Sequence, residues 1–172
     1  WGRHTGEWSY RVLSTLEMID HLEKKNSPGN RLFVPLFMGQ RELPDQYVPI
    51  HPYVIGALIG DGNLTSGVRF TSADQHIVDR ISDLLPPDHT IHPSTGKMAY
   101  YVTDNLRGGT NRMRSALSLL GLWGSRSWDK HIPEVYKNLS YRQTVDLLQG
   151  LLDTDGTVDG HGSITYTTVS QQ

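Results

Sequence analysis

The chain has 172 residues, 37% of them hydrophobic, which is enough for one sizeable core or two small ones. No cysteine is present, which excludes disulfides, thiolate catalysis and thiolate metal sites, and no apolar run reads as a membrane span or signal peptide. A formal net charge of −2 gives no general attraction to nucleic acid, yet ten Lys and Arg stand against seven Asp and Glu between Gly62 and Arg142.

In chain order, Trp8 to Leu13 has the aromatic and β-branched content of a strand. Ser14 and Glu17 form an S-x-x-E capping box that opens a helix through about Lys24, with Ile19 and Leu22 inward. A turn over 26–30, a short strand over 32–36 and a proline-interrupted connector over 37–50 complete an N-terminal α/β extension. Pro52 suits the first turn of a helix that runs to Asp61, and two strands follow around Gly67. Asp74 caps a helix whose Ile77, Val78, Ile81, Leu84 and Leu85 make one apolar stripe, stopped by Pro86-Pro87. A second hairpin over 90–103 turns near Ser94-Thr95-Gly96. Asn111 then opens a helix with Met113, Ala116, Leu117 and Leu120 inward and Gly121 at its end. Ser140 and Gln143 cap the last helix, which ends at Asp155 before two short strands. The order is αββαββα followed by αββ, an α+β arrangement.

The two halves share a pattern. Val54-Ile55-Gly56-Ala57-Leu58-Ile59-Gly60-Asp61-Gly62 aligns with Leu148-Gln149-Gly150-Leu151-Leu152-Asp153-Thr154-Asp155-Gly156. Small residues at Gly56 and Gly60, and at Gly150 and Thr154, lie four apart on one helix face, where another backbone can approach closely. The residues that follow repeat as well: Val68-Arg69-Phe70-Thr71-Ser72 matches Ile164-Thr165-Tyr166-Thr167-Thr168 position by position. An internal duplication accounts for this.

An aspartate at a helix C-terminus stands at the negative end of the macrodipole. If the two small-residue faces pack together, Asp61 and Asp155 meet as like charges, and a hard divalent cation with oxygen ligands is the natural compensation. A single motif would read as a buried helix with an incidental acidic end. The alternative of an EF-hand loop over Asp153 to Ile164 fails, because Val158 stands at loop position six and Ile164 at position twelve. The eight histidines are scattered and suggest no zinc site.

The paired motifs resemble those of the LAGLIDADG homing endonucleases, in the variant embedded in inteins. The second copy fits closely, and the first is looser, with Ile59 where the family has its first aspartate. The resemblance implies a pseudo-two-fold αββαββα fold. On that reading, residues 1–50 are the tail of a splicing domain with its connector, 51–139 the first repeat, and 140–172 the start of a second repeat that is cut short. It implies a metal-dependent double-strand DNA endonuclease using Mg2+ or Mn2+, held at Asp61 and Asp155 with Gly60 and Thr154. Lys130, in Lys130-His131-Ile132-Pro133, matches the K-x-I-P stretch whose lysine helps the attacking water. A solvated lysine before a proline turn is the plain alternative, and Lys97 competes for the same role. The expected DNA contacts are outward strand residues: Arg69 and Thr71 opposite Val68 and Phe70; Lys97, Tyr101 and Thr103 alternating with inward Met98, Tyr100 and Val102; and Thr165 and Thr167 opposite Ile164 and Tyr166.

The expected partner is double-stranded DNA, in a cytoplasmic, monomeric protein of a prokaryotic, archaeal or phage-encoded host. Splicing is not expected, since residue 1 is Trp and no terminal Asn is present, and a half-built second repeat is expected to weaken cutting. A second function class stays open: a LAGLIDADG-type nucleic-acid-binding module without cleavage, such as a degenerate endonuclease, a maturase or a regulator.

Overall fold

The computed structural model describes residues 13–23, 43–96, 98–105 and 111–170. Contacts divide the chain into two units, Trp1–Gly39 and Gln40–Gln172. Residues 8–12 of the strand expected over 8–13, the turn over 26–30 and the strand over 32–36 lie outside the described residues, as does Lys97.

In the first unit, α1 (Thr15–Glu23) opens on the expected capping box. The Ser14 amide and hydroxyl both donate to the Glu17 carboxylate at 2.7 Å, and the Glu17 amide donates back to Ser14 Oγ at 3.3 Å. Ile19, expected inward, is 46% exposed, because no described element of this unit lies against its face.

The second unit is α+β. Its elements are α2 (Pro52–Asp61), β1 (Gly62–Asn63), β2 (Arg69–Thr71), α3 (Gln75–Leu84), β3 (His89–Pro93), β4 (Ala99–Asp104), α4 (Arg112–Leu119), a 3-10 turn at Glu134–Tyr136, α5 (Tyr141–Asp155), β5 (Gly156–Val158) and β6 (Ile164–Tyr166). Asp74, Asn111 and Ser140 cap α3, α4 and α5 through their side chains, and Gln143 completes the box on α5. β1 to β4 form an antiparallel sheet in the order β1-β2-β4-β3, and β5 pairs with β6 alone. Phe70 lies opposite Tyr100, and Arg69 opposite Tyr101, so apolar and polar residues segregate to the two faces. No described helix is long and apolar enough to cross a membrane.

The core is built around α2, in which every residue from Pro52 to Ile59 is buried. Such all-round burial explains why its sequence carries no polar stripe. Ile77, Val78 and Ile81 of α3, Met113 and Leu117 of α4, and Phe70 and Val102 of the sheet close over it. Residues 43–50, the described part of the expected connector, pack in this unit. Tyr136 Oη donates to the Ile50 carbonyl at 2.7 Å, while Gln143 both accepts from the Gln46 amide and donates to its carbonyl at 2.8 Å.

The second wall of α2 is α5, and glycine sets the spacing. A Cβ on Gly56 would stand 2.4 Å from the Leu147 carbonyl oxygen and 3.0 Å from the Leu151 amide. A Cβ on Gly150 would stand 2.1 Å from the Tyr53 carbonyl oxygen and 2.9 Å from the Ala57 amide. The contacts are reciprocal: each glycine meets the carbonyl three residues before its counterpart and the amide one residue after it. The helices therefore cross backbone to backbone about a local two-fold axis.

Two expectations about strand faces are overturned. Met98, expected inward, is 56% exposed with φ of 65°. It belongs to the turn that closes the β3–β4 hairpin, so strand alternation begins only at Ala99. Ile164 and Tyr166, also expected inward, are 63% and 36% exposed. The β5–β6 ribbon pairs with itself alone and, among the described elements, only α5 lies against it, so alternation fully buries neither side chain.

Candidate active site at the helix tips

Both central helices end in the same way. The Gly62 amide donates to the Leu58 carbonyl and the Gly156 amide to the Leu152 carbonyl, and each glycine is extended, at φ −74° and −84°. Glycine is required here by closeness rather than by φ: a Cβ would lie 2.2 Å from Leu58 O in one helix and 2.3 Å from Leu152 O in the other. The chain thus turns directly from each aspartate into a strand, leaving both carboxylates at the tip of the helix pair.

At that tip the helices touch through Gly60. A Cβ there would stand 2.1 Å from Thr154 Oγ1 and 3.3 Å from the Asp155 carboxylate. Partial burial, then the charge of Asp155, pushes the Asp61 carboxyl above its ordinary value, and Lys130 opposes the rise. Lys130 is 4% exposed, and its ammonium donates to the Gly60 carbonyl at 2.8 Å. This overturns the reading of Lys130 as a solvated lysine. Burial lowers its basicity while Asp155 and Asp61 sustain it. The structure thus brings together Asp61, Asp155, Gly60, Thr154 and Lys130. The Thr154 hydroxyl is spent on its own helix, donating to the Gly150 and Leu151 carbonyls at 3.0 and 3.1 Å.

Among the described residues no group of three or more His, Cys, Asp or Glu could hold a metal ion. A cation at the tip would have two carboxylates and neighbouring backbone carbonyls, with water completing its shell. That hard-oxygen, ligand-poor set fits magnesium better than zinc; the Asp61 carboxyl is raised first by burial and then by the charge of Asp155, and a cation there would offset both.

Several residues at this helix pair were not singled out from the sequence. Tyr53, fully buried, donates its hydroxyl to the Asp153 carboxylate at 2.7 Å. The Arg80 guanidinium lies 4.0 Å over the Tyr53 ring and donates to Gln149 at 2.6 Å. Behind the tip, the Ser170 hydroxyl donates to the Lys130 carbonyl at 2.6 Å, and Tyr166 is pushed above its ordinary pKa by burial and by Asp155.

The sheet presents Arg69, Thr71 and Tyr101 to solvent, with Thr103 half-buried beside them. His92 stacks on Tyr101, ring centres 5.2 Å apart, and hydrogen-bonds Thr103 Oγ1 at 3.0 Å. Thr165 and Thr167 are exposed on and just past β6.

No family model matches the chain. It is 33% identical over 131 residues to the replicative DNA helicase DnaB of Mycobacterium intracellulare, a match that covers 76% of this chain and 18% of that protein. The matched stretch therefore spans less than a fifth of the length of that relative.

Proposed function

We propose that this chain is the endonuclease-bearing part of an intein, of the LAGLIDADG type, that makes a metal-dependent double-strand break in DNA. One observation carries the reading: two duplicated helices cross at paired glycines and deliver Asp61 and Asp155 to one tip, beside the buried Lys130. The helicase match agrees with it. A likeness confined to 18% of a helicase is what a segment inserted within that protein would give. A bacterial relative also agrees with a cytoplasmic setting.

In this reading Asp61 and Asp155, with the carbonyls of Gly60 and Thr154, hold magnesium or manganese. The ion supplies an activated water and charge neutralisation at the phosphate when bound. Lys130 positions that water and offsets the two carboxylates, while Arg69, Thr71, Tyr101, Thr165 and Thr167 face the duplex. Calcium titration by calorimetry tests the site without relying on turnover. Asp61→Asn or Asp155→Asn is expected to weaken binding at least tenfold; unchanged affinity in both would overturn the assignment. A second reading, a DNA-binding module that does not cut, is favoured by one feature: the Lys130 ammonium already occupies the Gly60 carbonyl.

A further inference from the structure

We propose that a cleft of about 350 Å³ beside β2 and β4, between Arg69, Arg114 and Trp123, binds a phosphodiester of the nucleic-acid backbone. The proposal names a subsite for the DNA partner and so rests on that part of the function above, but its residues are separate from the helix tips.

The cleft differs in charge from the rest of the molecule. Two guanidinium groups line it and no carboxylate does, in a chain where acids outnumber Lys and Arg by 18 to 16. Two other arginines are matched, Arg80 facing Asp146 at 3.7 Å and Arg112 pairing with Asp88. Among the described residues, neither Arg69 nor Arg114 has a side-chain hydrogen bond or a carboxylate partner. Their donors are therefore available to an anion from outside.

The geometry is prearranged. The Arg114 guanidinium lies 4.6 Å over the Trp123 ring, which fixes its plane and leaves its N–H edge unsatisfied. A planar fork held in this way suits the paired oxygens of a phosphate. Asn111, the N-cap of α4, also lines the cleft, so the positive end of that helix dipole adds to the field. The Asn111 amide donates to the Val102 carbonyl at 3.3 Å and ties that helix end to the sheet.

Position favours a backbone phosphate over a free anion. Tyr101, directly opposite Arg69 in the β2–β4 register, belongs both to the cleft and to the exposed sheet face. A duplex lying on that face would run its backbone past the Arg69–Arg114 pair.

The test measures binding of the whole protein to a fluorescent non-specific duplex over a range of salt, in calcium or EDTA. Arg114→Ala should lower affinity several-fold at low salt and flatten the slope of log K against log salt by about 1, the loss of one phosphate contact. Arg114→Lys should restore the slope, because it restores the charge. A second arm adds inorganic phosphate and follows Trp123 fluorescence, with Trp123→Phe as the blank. An unchanged slope in Arg114→Ala overturns the proposal. If phosphate perturbs Trp123 only when Arg114 is present but the duplex slope is unchanged, the cleft takes a free anion and the nucleic-acid assignment falls. If wild type binds no duplex, the DNA partner itself is refuted, and the phosphate arm alone decides the cleft chemistry. Calcium binding at Asp61 and Asp155 should be unaffected by Arg114→Ala, so failure here and failure at the helix tips are distinguishable.

Discussion

Substitution of Gly150 by alanine tests the helix pair that carries the site. In an exposed helix interior, glycine to alanine stabilises by about 0.5–1 kcal/mol through reduced backbone entropy. Here the sign should reverse. The new Cβ would stand 2.1 Å from the Tyr53 carbonyl oxygen, against ordinary contact at 3.4 Å or more. The obstacle is backbone, so no side chain can swing away, and the helices must part by more than 1 Å. Overpacking of this kind costs about 1–3 kcal/mol, and a backbone clash belongs at the top of that range, so after the entropy gain the net loss is about 2 kcal/mol. Gly56→Ala should act alike, since its Cβ would stand 2.4 Å from Leu147 O. One separation of the helices relieves both clashes, so the double variant should lose clearly less than the two single losses added together. Urea unfolding followed by circular dichroism measures all three. A neutral or stabilising Gly150→Ala, or fully additive losses, would refute the close-crossing reasoning. Gly160→Ala, with nothing within 4 Å, is the control and should change little.

The Asp61 carboxyl is raised in the folded protein, so its ionisation opposes folding above that pKa, and the penalty fades as pH falls to the unfolded value near ~4. Asp61→Asn should accordingly raise the melting temperature of metal-free protein at pH 7, with the gain vanishing toward pH 4; a gain independent of pH would count against this. Lys130→Met removes the ammonium from the Gly60 carbonyl and leaves two carboxylates facing each other, a loss of about 2 kcal/mol in EDTA. Calcium should then raise the melting temperature more in Lys130→Met than in wild type, whereas an equal rise would show that lysine and metal do not serve the same charges. Tyr53→Phe deletes the hydroxyl bound to Asp153 and should cost about 1 kcal/mol by urea unfolding, and no loss would make that bond incidental.

The elements were legible where the signal is local. Ser14, Asp74, Asn111 and Ser140 announce helices because a cap and its amide lie within three residues. The Gly56/Gly60 and Gly150/Thr154 spacing foretold which faces meet, since close backbone approach demands small residues. What the sequence hid is non-local. Lys130 reaches Gly60 across 70 positions and Tyr53 reaches Asp153 across 100, and no periodicity encodes either pairing. Tyr53 aligns with Leu147 in the repeat, so an apolar position of one copy carries a hydroxyl in the other, and the duplication itself disguised it. Ile164 and Tyr166 failed for a different reason: alternation says which residues share a face, not whether anything covers it.

Sequencing the ends released from a randomised duplex library tests the function most directly. The natural protein that carries this chain would be incubated with the library in Mg2+, in Ca2+ and without metal, alongside the Asp61→Asn/Asp155→Asn variant. Paired breaks in both strands at one extended site are expected in Mg2+ only, and none from the double variant, which should still bind the library. Breaks that persist in the double variant, or a wild type that binds the library yet releases no ends in Mg2+ or Mn2+, would contradict a nuclease built on these two aspartates.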